Sequence, residues 1–428
     1  MKEYIKRIID DEIELQLQVT GAIVIKGPKW CGKTTSAKQY GKSILDLQNV
    51  KTLEENKRLA ENDISLLLEG DKPRVIDEWQ VIRPIWNAVR HDVDEKDDVG
   101  LYILTGSTTP VDDDTLHTGI GRMSFLEMKP MTLFESGESN GTISLQKIVD
   151  GTEKVRGQKS TIDYQRLAFL TCRGGWPTAI NKKDDIAIQV VKTYVKGLVE
   201  SDISKIDGRT RNPILARQIL RAYGRHVSTI DSNQTIYEDV QANYGEITEQ
   251  TIIDYMNVLK RLYVIDEIDS WNPNLRSKTS IRTSPKKGFT DPSIGIAAME
   301  ISPKELALDP KTFGFFFENL VNRDLSVYTN KIGGYVRHFR DRFGLECDHV
   351  LHFNNGKYGL VQTKLGTSQI DQGIEKLREL RVLIKSKNEE EGKIVTKEPD
   401  FYMVITGGET AYTTEDGIFI VPIGCLKD

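Results

Sequence analysis

The sequence predicts a multidomain α/β protein, and three observations lead to this prediction. The chain has 428 residues, and at about 150 residues per domain this length allows roughly three domains. A short β-branched run, a glycine-rich loop and a helix-compatible segment follow one another near the amino terminus, as in a parallel α/β unit. The last third has a long aromatic-rich helical pattern followed by alternating strands. We therefore expect two α/β domains separated by a helical region.

The composition is that of an ordinary folded protein. Hydrophobic residues make up 38% of the chain and charged residues 28%, which excludes disordered and collagen-like classes. Apolar runs fall well short of the roughly 18 residues that span a bilayer, and the charged amino-terminal stretch lacks the apolar centre of a secretory signal. We expect a cytoplasmic protein that does not enter the membrane. The four scattered cysteines predict reduced thiols and no cysteine metal site.

The first motif is a phosphate-binding loop. The segment from Gly27 to Thr34 matches G-x-x-x-x-G-K-[ST] and lies between a short strand and a helix. Its backbone N–H groups and the helix N-terminus are expected to bind phosphates, with Lys33 at the β- and γ-phosphates and Thr34 at Mg²⁺. The residues expected to bind the nucleotide are Gly27, Pro28, Lys29, Trp30, Cys31, Gly32, Lys33, Thr34 and Thr35.

The second motif is an apolar strand that ends in two acids. It reads P-R-V-I-D-E-W-Q and follows about 45 residues later, a spacing that suits a parallel crossover. We expect Asp77 to bind Mg²⁺ with Thr34, and Glu78 to orient or deprotonate the attacking water. A second carboxylate at this place favours hydrolysis over transfer to a small molecule.

Two further polar residues are candidates for the hydrolysis site. Ser107, with Thr108 as second choice, follows the strand pattern of residues 100–104 and could sense the γ-phosphate; a simple Gly-Ser turn is the alternative. Arg122 follows two glycines and could stabilise transition-state charge in its own subunit or in a neighbouring one. The alternative for Arg122 is a surface arginine that caps a strand.

The motifs together resemble a known family. G-P-K-W-C-G-K-T-T, I-D-E-W-Q, L-T-G-S, the G-R-M…L-x-P-x-T-L-F-E segment and G-G-W-P are similar to the prokaryotic AAA-type ATP-binding proteins that carry a C-terminal domain of unknown function. The resemblance covers essentially the whole chain. It implies ATP as the nucleotide and a C-terminal domain similar to the PD-(D/E)xK nuclease fold, a restriction-endonuclease-like α/β core.

The residue patterns and this resemblance together predict four domains. Residues 1–135 would form the P-loop AAA-type core and residues 136–203 a helical lid that contains the G-G-W-P turn. Residues 204–300 resemble a winged helix, with helices at residues 229–240 and 248–262 and wing strands at residues 263–271 and 281–289. Residues 301–428 would form the nuclease-like domain. Basic residues cluster in the winged-helix region and could bind phosphate backbones, form a solvated helix face, or pack against the acidic lid of the same chain: Lys205, Arg209, Arg211, Arg217, Arg221, Arg225, Arg276, Lys278, Arg282, Lys286 and Lys287.

A second candidate site lies in the last domain. Glu318 is predicted on a helix, Asp348 shares a strand face with Glu346, and Gln362 and Lys364 share a face of the next strand. Glu318, Asp348 and Gln362 are the candidate Mg²⁺ ligands, and Lys364 would orient a nucleophile. Gln362 stands where the nuclease pattern has an acid, and its neutral amide is a weaker ligand. An active nuclease, a degenerate domain that binds nucleic acid and a purely structural domain are all left open.

The leading hypothesis is a Mg²⁺-dependent ATPase that acts on nucleic acid, DNA or RNA, as a switch or loader. An ATP-regulated nuclease is one alternative. A slow signalling ATPase, with an interaction module that binds a protein partner, is the other. The residues leave oligomerisation open, since Arg122 could act between subunits.

Overall fold

The computed structural model describes residues 4–107, 121–206, 208–272, 284–340, 344–390 and 396–428. Contacts divide the chain into two compact units, Met1–Pro130 with Arg261–Tyr263, and Met131–Lys260 with Val264–Asp428. The four predicted domains and their bounds stay predictions. Among the described residues, no helix combines the length and the apolar character needed to cross a membrane.

The first unit is a parallel sheet with helices on both faces. Its strands are β1 (Ala22–Lys26), β2 (Ser43–Asp46), β3 (Arg74–Asp77), β4 (Tyr102–Gly106) and β5 (Met123–Glu127), in the order β2-β3-β4-β1-β5. Its helices are α1 (Ile9–Gln16), α2 (Lys33–Tyr40), α3 (Leu53–Asp63) and α4 (Ile85–Lys96). The strand pairings are all parallel, which agrees with the crossover spacing of the motifs.

Alternation along the strands explains the two covered faces. Ala22 and Val24 of β1 pack in one apolar cluster with Val89 of α4. The alternate residues of β1 pack in a second cluster with Ile13 of α1 and Ala37 of α2. Successive strand side chains point to opposite faces, so both faces of the sheet are buried, as parallel sheets require. The carboxyl ends of the strands, which carry the predicted motifs, therefore meet at one edge.

The second unit contains the helical region and the C-terminal sheet. Its helices are α5 (Leu145–Val149), α6 (Tyr164–Arg173), α7 (Asp184–Gly197), α8 (Ile203–Lys205), α9 (Pro213–Arg225), α10 (Asn233–Tyr244), α11 (Glu249–Arg261, whose last residue counts with the first unit), α12 (Pro292–Ala298), α13 (Pro303–Leu308), α14 (Pro310–Lys331) and α15 (Ile370–Glu390). Its strands are β6 (Ile143–Ser144), β7 (Gly334–Arg340), β8 (Glu346–Phe353), β9 (Tyr358–Lys364), β10 (Phe401–Thr406), β11 (Tyr412–Thr413), β12 (Ile418–Pro422) and β13 (Leu426–Lys427).

The C-terminal sheet has the order β11-β12-β10-β9-β8-β7. β7, β8 and β9 are antiparallel neighbours, and α15 connects β9 to the parallel strand β10. The register between β7 and β8 shifts between Arg337 and Phe339, as at a β-bulge. An apolar face of α15 packs on this sheet through residues such as Ile374 and Leu377.

The region predicted as a winged helix contains α9, α10, α11 and a short antiparallel pairing. Ile265 bridges to Phe289 and Ile268 bridges to Lys286. Most of the link between these two segments, with Arg276, Lys278 and Arg282, lies outside the described residues. Helices and pairing follow the predicted order, and the assignment to a winged helix stays a prediction.

Two of the family-like motifs meet at a buried arginine. Arg323 of α14 donates to Asp291 at 2.9 Å and to Asp324 at 2.7 and 2.8 Å. Asp291 also accepts a bond from the Gly175 backbone of G-G-W-P, and Asp324 accepts one from the Leu133 backbone of T-L-F-E. Both carboxylates are fully buried, where charges must be paired. These motifs therefore hold the second unit together.

Trp176 belongs to the same core. Its side chain is fully buried, its indole N–H donates to Ser293 Oγ at 3.0 Å, and its ring lies 4.4 Å from that of Tyr194. The residue therefore has a packing role in the helical region.

Candidate functional site

The phosphate loop is shaped by glycines. It joins the end of β1 at Lys26 to the start of α2 at Lys33, and Gly27 and Gly32 adopt φ values of 148° and 110°, which favour glycine. A Cβ on Gly27 would lie 2.2 Å from the carbonyl oxygen of Met128. Trp30 within the loop has a φ of 66°. The backbone thus turns tightly into the first turn of α2, where Thr34 and Thr35 lie.

A buried arginine that the sequence reasoning missed fastens this loop. Arg7 donates from its guanidinium to the carbonyl oxygens of Cys31 and Lys129, both at 2.8 Å. Asp10 accepts from the Arg7 backbone at 2.8 Å and also bonds the hydroxyl of Tyr4. The segment preceding α1 therefore buttresses the loop. The bonded residues are 24 and 122 positions from Arg7, and the sequence carries no local signal for either contact.

Lys33 is buried against the loop. Its ammonium donates to the carbonyl oxygens of Gly27 at 3.0 Å and Pro28 at 2.8 Å. The ammonium and the loop backbone are therefore next to each other, as the phosphate-loop prediction requires. Pro28 and Lys29 complete the turn between Gly27 and Trp30.

The two nucleotide motifs converge at Asp77. Thr34 Oγ1 donates to Asp77 Oδ1 at 2.7 Å, although 43 residues separate them. Thr105, fully buried on the adjacent strand β4, donates its hydroxyl to the same oxygen. The predicted pair of Thr34 and Asp77 is thus brought together. Thr105 is a further residue at this point that the sequence reasoning passed over in favour of Ser107.

Glu78 differs from Asp77 in backbone and surroundings. It has a φ of 56°, a conformation that non-glycine residues rarely adopt and that is often found at functional sites. Its carboxylate accepts a hydrogen bond from the Gln80 side chain. Burial raises the pKa of Glu78, while the charge of Lys33 acts in the opposite direction. A carboxylate with a raised pKa is a better proton acceptor for water.

Ser107 and Arg122 lie at opposite ends of the parallel strands. Ser107 follows the carboxyl end of β4 and is 3% exposed. Thr108, the second candidate for the same role, lies outside the described residues. Arg122 precedes the amino end of β5, where it forms an exposed ion pair with Asp94 of α4. A five-residue strand spans roughly 15 Å, so the guanidinium of Arg122 is far from the phosphate loop of its own chain.

The second candidate site is centred on Lys286, which the sequence analysis places among the basic residues of the winged-helix region. Lys286 Nζ lies 2.6 Å from Glu318 Oε1 and 3.7 Å from Asp348 Oδ1. Asp348 Oδ2 accepts a bond from the Thr363 backbone at 2.8 Å. Burial raises the pKa of Glu318 to about 7, whereas the charges of Lys286 and Lys364 keep the pKa of Asp348 below its usual value. The structure therefore joins Glu318 and Asp348, as predicted, but through Lys286.

The remaining residues of this site are arranged differently from the expectation. Glu346 binds Lys376 at 2.8 Å and does not form a pair with Asp348, since β8 is irregular at this point. Gln362 donates to the Glu346 backbone at 2.8 Å, and its carbonyl oxygen is buried with no hydrogen-bond partner among the described residues. Within the described part of the chain, no three His, Cys, Asp or Glu side chains are grouped to hold a metal.

Several of the predicted nucleic-acid-binding residues have partners inside the second unit. Arg211 is buried and donates to the Ile203 carbonyl oxygen. Arg225 forms a bidentate pair of hydrogen bonds with Asp239. Lys287 is buried and bonds Glu267 and Asn233. Arg211 and Lys287 are buried with these partners and are not available to phosphates, so the basic surface is smaller than the sequence suggests.

Three family models match separate parts of the chain. Residues 19–136 match the AAA domain family AAA_14, residues 164–305 match the domain of unknown function DUF8612, and residues 313–426 match the domain of unknown function DUF4143. No curated protein matches the chain.

Solved structures show partial similarity. The Walker-type ATPase PABY2304 of Pyrococcus abyssi is 14% identical, with 68% of this chain and 94% of that chain covered and a TM-score of 0.42. The replication initiator DnaA, bound to AMPPCP and single-stranded DNA, is 13% identical, with 59% and 86% covered and a TM-score of 0.28. PCH-2 of C. elegans is 14% identical, with 59% and 65% covered and a TM-score of 0.20.

The family match and the geometry agree for the first unit. Its five-stranded parallel sheet resembles a P-loop ATPase domain, and residues 19–136 are similar to AAA-type ATP-binding domains. The similarity of the C-terminal domain to nucleases stays a prediction, since residues 313–426 match a domain of unknown function.

Proposed function

We propose that this chain binds ATP with Mg²⁺ and hydrolyses it at the edge of the sheet in the first unit. The observation that carries the proposal is the 2.7 Å hydrogen bond from Thr34 Oγ1 to Asp77 Oδ1. It joins a hydroxyl and a carboxylate from two separate motifs beside the phosphate loop. Oxygen ligands of this kind suit Mg²⁺, so the donor set fits the ion. When bound, Mg²⁺ supplies positive charge that neutralises phosphate oxygens.

The chain's own groups account for the other requirements. Lys33 would exchange its bonds to the Gly27 and Pro28 carbonyl oxygens for bonds to phosphate oxygens. The loop N–H groups and the N-terminus of α2 add partial positive charge. Glu78 would accept the proton of the attacking water, and Gln80 holds its carboxylate. We assign Glu78 to catalysis and Gln80 to its positioning.

Replacement of Lys33 tests this proposal. We expect Lys33→Ala to lose tight ATP binding in isothermal titration and to lose phosphate release, because the ammonium no longer meets the phosphates. The matched control is Lys38→Ala, which removes an exposed lysine from the same helix and should behave as wild type. Unchanged ATP affinity in folded Lys33→Ala would contradict the proposal.

The finer part of the proposal is that ATP hydrolysis serves a switch on nucleic acid. Arg217 and Arg221 lie one turn apart on α9, and within the described residues neither forms a hydrogen bond or an ion pair. Such a pair can bind successive phosphates. We expect DNA to raise phosphate release in wild type and to lose this effect in Arg217→Ala/Arg221→Ala. Absence of stimulation by DNA and RNA would favour a protein partner and leave the ATPase proposal standing.

Arg122 is assigned to a neighbouring subunit. Its place at the amino edge of β5, paired with Asp94, does not suit its own phosphate loop. We expect the specific ATPase activity of wild type to rise with protein concentration and that of Arg122→Ala to be low throughout. An Arg122→Ala variant with wild-type activity at all concentrations would remove this residue from the mechanism.

A further inference from the structure

Lys286 lies where a divalent metal would bind between the two acids of the C-terminal domain. Its side chain is 7% exposed, and those of Glu318 and Asp348 are 15% and 7% exposed. The ammonium also lies 3.5 Å from the Asp348 carbonyl oxygen. Glu318 is 32 residues away in the chain and Asp348 is 62, so no local pattern could predict the group.

The backbone holds Lys286 firmly at this point. Its N–H donates to the Ile268 carbonyl oxygen at 2.9 Å, and the Ile268 N–H donates back at 2.9 Å. The ammonium of Lys286 is therefore placed by an antiparallel pairing as well as by the two acids. A side chain fixed in this way is not a chance surface contact.

The charges of the group balance without a metal. Glu318 and Asp348 carry at most two negative charges. Lys286 contributes one positive charge, and the positive charge of Lys364 also acts on both carboxyl groups, although burial still raises the pKa of Glu318. A divalent cation would leave this buried group with an excess of positive charge, which a low-dielectric environment opposes.

The hydrogen bonds that the carboxylate oxygen atoms already accept also argue against a divalent metal. Asp348 Oδ2 already accepts the Thr363 N–H at 2.8 Å, and Glu318 Oε1 accepts the ammonium at 2.6 Å. Gln362 still offers a carbonyl oxygen without a described partner, but a single neutral oxygen is a weak ligand for Mg²⁺. The donor set therefore does not fit a catalytic metal while Lys286 is in place.

We infer that the ammonium of Lys286 is the resident cation of this acidic pair and takes the place of the divalent metal of a nuclease. The C-terminal domain then does not cleave nucleic acid by a metal-dependent mechanism. Instead, the Lys286 ion pairs fasten the strand segment at residues 284–290 to α14 and β8. This inference is independent of ATP hydrolysis, since each residue that carries it belongs to the second unit.

Titration of the nucleotide-free full chain with Mn²⁺, followed by electron paramagnetic resonance, tests the inference. We expect wild type and Asp348→Asn to bind Mn²⁺ equally, because the acidic pair is already neutralised. Lys286→Met should gain about one Mn²⁺ per chain, and this gain should disappear in Lys286→Met/Asp348→Asn. The matched control Lys287→Met removes the adjacent buried lysine, which bonds Glu267, and should bind Mn²⁺ as wild type does.

Two results would overturn the inference. One is Mn²⁺ binding or DNA cleavage by wild type that Asp348→Asn abolishes. The other is a folded Lys286→Met variant, as judged by circular dichroism, that gains no Mn²⁺. If Lys286→Met does not fold, the comparison of wild type with Asp348→Asn decides alone: equal Mn²⁺ binding supports the inference and unequal binding overturns it.

Discussion

Replacement of Thr105 by valine separates the role of strand β4 from that of the phosphate loop. Asp77 Oδ1 accepts hydrogen bonds from Thr34 and Thr105, and Thr105→Val removes one of them while it keeps the buried shape. A hydrogen bond to a charged group contributes about 1.5–3 kcal/mol, which corresponds to roughly a 10- to 100-fold change in an equilibrium constant. We therefore expect the Mg²⁺ concentration for half-maximal phosphate release to rise at least about tenfold.

Two companion variants make this prediction specific. Thr105→Ser keeps the hydroxyl and should retain the wild-type Mg²⁺ dependence. Ser107→Ala should lower the maximal rate without a change in Mg²⁺ dependence, if Ser107 senses the γ-phosphate. The assay is phosphate release at saturating ATP over a Mg²⁺ series. A Thr105→Val variant with the wild-type Mg²⁺ curve would refute the assignment of Thr105 to Asp77.

Three further predictions concern the second unit. Arg323→Met leaves two buried carboxylates unpaired and should lower the free energy of unfolding by about 3–5 kcal/mol. The control Arg225→Met removes an exposed ion pair worth about 0.2–1 kcal/mol. Equal losses of the free energy of unfolding in urea titrations of the two variants would contradict the burial argument. Gly175→Ala places a Cβ 2.0 Å from a backbone carbonyl oxygen and should destabilise the protein by about 1–3 kcal/mol. The control Gly197→Ala adds a Cβ in open space on α7 and should be neutral or stabilising in the same urea titration. Asp348→Ala should leave basal ATP turnover largely intact, because Asp348 belongs to the other unit; a collapse of phosphate release in a folded variant would argue against this separation.

Much of the first unit could be predicted from the sequence because its signals are local. The phosphate loop needs glycines at fixed places between a strand and a helix, and parallel strands bring their carboxyl ends to one edge. The meeting of Thr34 and Asp77 follows from these two rules. Thr105 was missed because its signal is only a hydroxyl within a buried strand, two residues before the more conspicuous Ser107.

The contacts of long sequence separation could not be predicted. Arg7 bonds Cys31 of the loop and also Lys129, 122 residues away, and Lys286 meets Glu318 through the fold alone. The sequence leaves phosphate binding, a solvated face and packing within the chain all open for the lysines and arginines of the helical region, and Arg211 and Lys287 lie buried with internal partners. Charge in a sequence does not reveal whether a partner in the same chain will neutralise it.

The second candidate site shows the same limit in another form. Strand periodicity predicts that Glu346 and Asp348 share a face, but the irregular register of β8 separates their partners: Lys376 binds Glu346, and Lys286 binds Asp348. A single extra residue in a strand changes which side chains meet. Sequence spacing alone is therefore a weak guide to a site built on a bulge.

The most direct test of ATP hydrolysis by the first unit is to measure ATP binding and phosphate release on one preparation of Glu78→Gln. The amide keeps the size of the side chain but cannot accept a proton from water. We predict ATP affinity close to that of wild type and phosphate release lower by about 100-fold or more. Phosphate release at the wild-type rate, with ATP bound as tightly as in wild type, would contradict the assignment of hydrolysis to this site.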